Sequence, residues 1–481
     1  MKKAQYKETT LTVIIVILCL LFFGLGVSVP FIFDRGSQSE AAASDEKFNA
    51  IYDLLREEWY FADEVEDIDK VLLEKAIEGM TDLEEDPHTN YFDLESAQEF
   101  SESLEGSNVG LGMSYFLDED QNFVVKDIFL DSPAEDAGLE VGDVITMIDG
   151  QACSETDSDT LVQLIKDHEG TPIEIVYTHE GETKSKMVEP KEYDETVSCR
   201  LFEDQGYALI RLTSFSENSG ADFAKAMNRI QEAGIQNLIL DLRGNTGGYL
   251  SAAVDIASSL LPEGSVVVQE EDKDGNRSES KTNDDYEQVQ LDQIVILQNG
   301  TTASASEALI GALKDNLGSI VTTVGTTSYG KGTEQTSVPF SDGTSIKYTI
   351  AKWYTPNGDS IDQEGFEPDI EASSSEIEDV QYNAEETQET LEPDTVSVNA
   401  KAVQIFLKYL GYSADRTDEY FSVASSEALK LFQKDNALTI SGKCDPETWD
   451  KLYQKAMLKY NQDTLYTDSQ IETAVHQFET S

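Results

Sequence analysis

Apolar residues recur at three- and four-residue spacing in "KFNAIYDLLREEWYF" and "IDKVLLEKAIEGMTDL", which predicts a helical segment over residues 44–105. The pattern then shortens. "VGLGMSYF" and "NFVVKDIFL" are strand-like, and the turn-rich "SPAEDAGLEVGDVITMIDG" precedes a helix near "SDTLVQLIKDH" and a strand at "PIEIVYTH". Between residues 200 and 370 strands alternate with helices: "YALIRL", "SGADFAKAMNRIQEAG", "NLILDL", "SAAVDIASSLL", "IVILQ", then a helix after Ser304. This alternation predicts an α/β core with a largely parallel sheet. Residues 371–395 are acidic and poor in large apolar side chains, a linker too polar to fold alone. Helical periodicity returns over 396–460, and 461–481 is expected as a C-terminal tail.

The N-terminus adds a different solvent. "LTVIIVILCLLFFGLGVSVPFIF", residues 11–33, carries no charge over its 23 residues. As a helix it would span about 34 Å, enough for a hydrocarbon layer of roughly 30 Å. Lys2, Lys3 and Lys7 lie in residues 1–10, so this end is expected in the cytoplasm and everything after Arg35 outside it. The expectation is therefore a single-pass anchor in the cell membrane with an extracytoplasmic catalytic part. A cleaved signal peptide is the rival reading, because "SEAAASD" offers small residues, but they lie far past a long apolar core.

Length and charge narrow the classes. A chain of 481 residues fits about three domains, and its formal charge of −59 argues against nucleic acid and anionic lipid as direct partners. The four cysteines, 19, 153, 199 and 444, form no Cys-x-x-Cys pair, so a metal or redox motif is not expected. A Cys153–Cys199 bridge stays open. No cofactor and no metal is expected.

The chemistry gathers around "QNGTTASASEALIGALKDN". Ser304 and Ser306 open a helix after an apolar strand, where a hydroxyl is either an N-cap or a nucleophile. A nucleophile needs a base, and none of the four histidines (88, 168, 179, 476) lies between residues 180 and 475. In "LILDLRGNTGGYL", Gly247 and Gly248 give a glycine-rich turn whose N–H groups could face an oxyanion. In "SYGKGTEQ", Lys331 stands between two glycines with Gln335 four residues on, on one face if the segment is a strand. Only about one lysine in 2,500 is neutral at pH 7 in water, but burial can bring its pKa to roughly 7–8, where it can abstract a proton. A neutral amide orients such a lysine without pushing its pKa back up.

"TASASEALIGALKDN", "DLRGNTGG", "SYGKGTEQ" and "YTPNGDSIDQEGFEPD", in this order, resemble the carboxyl-terminal processing peptidases, or tail-specific proteases, over roughly residues 45–370. "DPHTNYF", Asp86 to Phe92, resembles the segment that precedes the PDZ domain in that family. The resemblance implies a ClpP/crotonase-like core over 191–370, with Ser304 as nucleophile, Lys331 as base and Gln335 orienting it. It implies backbone N–H groups of Gly248 and Ala305 as oxyanion donors, with Gly247 less favoured, and a structural Ser306. The stretch from helix to lysine, "KDNLGSIVTTVGTTSYGK", is about two residues longer than the family's usual spacing. If that shifts the lysine strand, Ser306 is the alternative nucleophile. Asn245 and Thr246 replace a more common all-glycine run.

Residues 106–190 resemble a PDZ domain, which takes an extended peptide as an added strand with its carboxylate on loop N–H groups. The resemblance places that loop at Leu111, Gly112 and Met113. Residues 396–460 resemble a three-helix peptidoglycan-binding domain. The implied whole is multidomain α/β: a transmembrane helix, a helical segment, a PDZ domain, the protease core and a small helical C-terminal domain. Its implied partners are proteins or peptides with free C-termini, the membrane and peptidoglycan; self-association is left open. The rival function is a catalytically inactive PDZ and wall-binding scaffold. A wall hydrolase would need paired carboxylates or zinc ligands. "SESK", Ser278 to Lys281, lies in a polar stretch unlike a buried helix start, and Gly275 there is misplaced for a calcium loop.

Overall fold

A computed structural model describes residues 40–373, 377, 380, 390–466 and 468–480. The expected membrane span, 11–33, lies outside the described residues, and no helix among the described residues is long and apolar enough to cross a membrane. The N-terminal unit holds α1 (Glu40–Glu57) and α2 (Ile68–Thr81), tied by a hydrogen bond from the Tyr52 hydroxyl to Asp69 at 2.9 Å.

The segment expected as helical over 44–105 is interrupted. After α2 the chain forms a strand, β1 (Asn90–Phe92), before α3 (Leu94–Glu105), because this stretch pairs antiparallel with Ser345–Lys347. Asp93 caps α3 by accepting from Ser96 N–H at 2.9 Å.

Next come β2 (Ser107–Gly110), β3 (Met113–Leu117), β4 (Phe123–Ile128), α4 (Pro133–Ala137), β5 (Val144–Ile148), β6 (Gln151–Ala152), α5 (Ser158–Asp167), β7 (Ile173–His179), β8 (Glu182–Val188) and β9 (Lys191–Asp194). The expected continuous strand "VGLGMSYF" is broken at Leu111-Gly112, where Gly112 takes φ 77°. β3 lies at one edge of the sheet β3-β4-β5-β7-β8, and Phe123, Val125, Ile145, Leu161 and Ile175 fill its core.

The central sheet follows the order β10-β11-β12-β15-β16-β19: β10 (Val197–Phe202), β11 (Tyr207–Leu212), β12 (Asn237–Asp241), β15 (Gln293–Gln298), β16 (Val321–Gly325) and β19 (Ile370–Glu371). All pairs are parallel except β10 with β11. Alternation along the strands sends Ala208, Ile210, Leu238, Leu240 and Ile296 to one face and Tyr207, Leu209, Ile239, Val295 and Leu297 to the other. The first face packs on α6 (Ser219–Glu232), α7 (Leu250–Ser258) and α8 (Ala305–Leu317). A second sheet joins β1 to β13 (Val266–Asp272), β14 (Arg277–Lys281), β17 (Thr333–Pro339) and β18 (Ser345–Tyr354). "SESK" lies on exposed β14, away from any helix start.

The C-terminal part forms its own core from α9 (Val398–Tyr409), α10 (Val423–Asp435) and α11 (Pro446–Tyr466), around Phe406, Phe432 and Trp449. Ile377 and Leu391, from the acidic linker, pack into this core. The expected tail 461–481 contains the end of α11 and a further helix, α12 (Ser469–Thr480). Its Ala474, Ile471, Val475 and Phe478 cover the second face of the central sheet. An amphipathic helix here is explained by that apolar face, which parallel strands leave on both sides. The open disulfide is answered: Cys153, Cys199 and Cys444 are all free, Cys153 in the core of the β3–β8 sheet and Cys199 on β10.

Candidate active site

Three adjacent parallel strands deliver the site from their carboxyl ends, the usual place for a ligand in an open α/β sheet. β12 leads into Gly244–Gly248, β15 into Asn299–Ser304, and β16 into Thr326–Lys331. Ser304 sits at the strand-to-helix turn with φ 58° and ψ −117°, a conformation strained for a residue with a Cβ. It is partly exposed, whereas Ser306 is fully buried and donates from Oγ to the Asn245 carbonyl at 3.0 Å. Ser306 is thus a tether for the glycine loop, without a lone pair or a proton facing solvent.

That loop owes its shape to Asn245, fully buried. Its Nδ2 donates to the Leu212 carbonyl at 2.9 Å and its Oδ1 accepts from Gly247 N–H at 2.9 Å. Its carbonyl also accepts from Ala303 N–H at 3.0 Å. Gly247 has no room for a side chain, since a Cβ there would lie 2.8 Å from that of Ser304. Gly248, at φ 142°, would bring a Cβ to 2.2 Å from the Phe215 carbonyl oxygen. The Gly247 N–H is therefore committed to Asn245. The N–H groups of Gly248 and Ala305 have no hydrogen-bond partner among the described residues. The polar residue in place of a glycine is what aims the loop.

Glu307, in the first turn of α8, was not singled out by the sequence reading. It is fully buried, and its Oε2 accepts from the N–H groups of both Ser304 and Lys331, each at 2.9 Å. Its Oε1 accepts from Ser328 Oγ at 2.6 Å and Gly330 N–H at 2.7 Å. One carboxylate thus gathers the serine and the lysine loop, so the longer spacing between helix and lysine does not separate their backbones. Those residues include the single turn Gly318–Ile320 before β16. The lysine loop is clasped from outside as well: Trp353 Nε1 donates to the Lys331 carbonyl at 2.9 Å, and Gln363 N–H to that of Gly330 at 2.7 Å.

Lys331 is lowered to a pKa of about 8, first by burial and then by the Lys347 ammonium, while Glu307 and Asp86 pull the other way. Lys347 is itself lowered by burial and stands 5.3 and 5.2 Å from the ring centres of Phe92 and Phe100. The charge of Lys347 can be removed without touching the dyad. Lys347→Met should therefore raise the apparent pKa of the rate-limiting base, moving the rising limb of kcat/KM toward alkaline pH; an unmoved limb would count against a lysine base.

Gln335 is on β17, which begins at Thr333, so strand alternation does not extend to Lys331 as the spacing alone implied. Its Nε2 donates to Thr333 Oγ1 at 2.9 Å and Thr349 Oγ1 at 3.2 Å. His88 also comes to this region, near Tyr329 with ring centres 6.5 Å apart, its pKa lowered by burial and by Lys331. A histidine count along the chain could not reveal a neighbour more than two hundred residues upstream.

The peptide loop is placed between β2 and β3. The carbonyls of Leu111 and Gly112 accept from Ala134 N–H at 2.7 Å and Phe129 N–H at 3.0 Å. The N–H groups of Leu111 and Gly112 are without partners among the described residues, and Met113 begins the edge strand β3. A Cβ on Gly112 would lie 2.2 Å from that of Ser132.

A serine on a strained turn, two unspent amides and a lysine of depressed pKa have the arrangement of a serine-nucleophile hydrolase. Comparison with known proteins refines that class. The family model for peptidase family S41 matches residues 206–372, that for the PDZ domain 124–178, and that for a putative peptidoglycan binding domain 397–452. The chain is 32% identical over 447 residues to the carboxy-terminal processing protease CtpB of Bacillus subtilis, covering 91% of this chain and 90% of that one. With CtpA of the same organism it shares 29% identity over 91% of this chain and 92% of the other. The solved photosystem II D1 C-terminal processing protease aligns over 70% of this chain and 94% of its own, with 26% identity and a TM-score of 0.39. The chain belongs to peptidase family S41, the carboxy-terminal processing serine proteases.

Proposed function

We propose that the protein is a membrane-anchored, extracytoplasmic endopeptidase that uses Ser304, Lys331 and Gln335 to cut proteins chosen by their C-terminal tails. The observation that carries this reading is the common carboxylate of Glu307, which binds the backbones of Ser304 and Lys331 beside the free amides of Gly248 and Ala305. Neutral Lys331 Nζ takes the proton of Ser304 Oγ as the oxygen bonds to the scissile carbonyl carbon. The resulting oxyanion is received by the Gly248 and Ala305 N–H groups. The Lys331 ammonium then protonates the leaving amine, and water cleaves the acyl-enzyme with the same lysine as base. A pKa of about 8 makes the active form scarce at pH 6 and dominant at pH 9.

The loop at Leu111–Met113 would hold the substrate's terminal carboxylate, with the tail added along the β3 edge. The apolar stretch 11–33 would hold the enzyme at the membrane, and the C-terminal domain would keep it near peptidoglycan. Full-length protein in detergent should cleave an unfolded substrate; Lys331→Ala should lose this activity and Gln335→Ala should keep only a small fraction of it. Persistence of cleavage without Lys331 would discard the lysine as base, and absence of cleavage by the wild type would favour the binding scaffold. Gly112→Ala should weaken capture of a free-tailed peptide by about tenfold, or ~1.4 kcal/mol. Amidating the peptide's C-terminus should cost the wild type as much and the variant nothing further; equal losses in both would take the carboxylate away from this loop.

A further inference from the structure

The segment "DPHTNYF" is joined to the site, and its hydrogen bonds have a direction. Asp86 Oδ1 accepts from His88 N–H at 3.2 Å and from Thr349 Oγ1 at 3.0 Å, while Oδ2 accepts from Thr89 Oγ1 at 2.6 Å. Thr89 Oγ1 in turn accepts from Thr349 N–H at 3.2 Å, so the segment is laced onto β18 just beyond the β1 pairing. These three donors hold the Asp86 carboxyl below the usual carboxylate range against the effect of burial.

An ionised carboxylate only accepts. Thr349 must therefore spend its one hydroxyl proton on Asp86 and can offer only a lone pair to its other neighbour. That neighbour is Gln335, which must then turn its NH2 toward Thr349 at 3.2 Å, its second proton going to Thr333 at 2.9 Å. Both amide donors are consumed, so Oε1 is the amide atom left to accept, and the triad reading assigns it to Lys331. On that reading an inverted amide would offer Lys331 an NH2 group, which would donate into the lone pair that must accept the serine proton. An amide's two orientations are nearly isosteric, so only its partners choose between them.

We propose that Asp86 is a positioning residue for catalysis, fixing through the Thr349 hydroxyl the orientation in which Gln335 presents its carbonyl oxygen to Lys331. This rests on the Ser304–Lys331–Gln335 reading and deepens it: a residue from before the PDZ domain decides whether the amide helps or blocks the base. Asp86→Asn is the informative change, since an asparagine can donate to Thr349 and reverse the chain of protons. Asp86 also acts as a charge, among Lys331, Lys347, Glu307, His88 and Asp362, and it raises the Lys331 pKa.

The test uses the full-length chain with an unfolded protein substrate, comparing Asp86→Asn, Gln335→Ala, Thr349→Val and the double variants that join Gln335→Ala to Asp86→Asn and to Thr349→Val. The expected result is a fall in kcat of about 10²-fold for Asp86→Asn with KM nearly unchanged. The rising limb of its pH profile should move toward acid, because a negative charge that favoured the ammonium is gone. Measured on the alkaline plateau, the Asp86→Asn double variant should be no slower than Gln335→Ala alone, and Thr349→Val should likewise add nothing to Gln335→Ala. Unchanged kcat in Asp86→Asn, or losses that multiply with that of Gln335→Ala, would overturn the proposal. Full activity in Gln335→Ala would instead overturn the reading of the triad itself, so the two failures are told apart. A loss of folding would appear as weakened binding of a free-tailed peptide by the PDZ domain; Asp86→Asn is expected to bind it normally.

Discussion

Ser304→Ala should lower kcat by about 10⁴- to 10⁶-fold, equivalent to ~5–8 kcal/mol of transition-state stabilisation. The reason is geometric. Ser304 carries the partly exposed hydroxyl of the turn, next to the unspent amides of Gly248 and Ala305, whereas the Ser306 hydroxyl is spent on Asn245. Ser306→Ala should accordingly keep its turnover and lose about 1 kcal/mol of stability with its buried hydrogen bond. Backbone conformation adds a second readout. At φ 58° a Cβ is strained, so Ser304→Gly should be as inactive as Ser304→Ala yet more stable by ~1 kcal/mol in denaturant unfolding. An enzyme that gains stability by losing its serine has been holding that serine in place for chemistry. Retained cleavage in Ser304→Ala with loss in Ser306→Ala would transfer the nucleophile.

Glu307→Gln should be the most damaging change that touches no substrate. Four donors converge on the two carboxylate oxygens, two on each. A glutamine must turn its NH2 toward one of those pairs, leaving donor against donor in a fully buried place. The expected cost is at least ~3 kcal/mol in unfolding free energy. Turnover should fall too, since the serine turn and the lysine loop lose their common anchor. The sign of the remaining effect is fixed: the Glu307 charge raises the Lys331 pKa, so any residual activity should show its rising limb at lower pH. Normal stability and turnover would mean that the two loops are held by other contacts.

The alternating core was legible because its strands are buried on both faces and its helices are amphipathic, patterns set by local spacing. Ser304, Lys331, Gly248 and Ala305 were reachable by motif and by chemical need. Glu307, Asn245, Asp86 and Thr349 were not. Each works through a partner remote in sequence: Asn245 tethers Ser306 and Ala303, and Asp86 reaches Thr349 across 263 positions. A local window shows Ser304 and Glu307 as a capping box, which accounts for the bond to Ser304 N–H but not for the three donors from residues 328–331. β1 was missed for the same reason, its strand character coming from its partner at Ser345–Lys347. The lysine's low pKa is likewise a product of burial and of Lys347, neither visible along the chain.

The helix α12 links the far face of the sheet to the active-site loops. α12 covers the second face of the central sheet, and the residues that introduce it reach the glycine loop. Arg243 bonds Asp241 at 2.7 Å, Asp468 at 2.8 Å and Gln470 at 2.8 Å, and Gln470 donates to the Ala372 carbonyl at 2.6 Å. Without α12 and the residues that introduce it, one face of the sheet would lie bare and Arg243, next to the glycine loop, would keep only one of its two carboxylate partners. Truncation before Asp468 should therefore lower stability and disturb the loop beside Ser304 together.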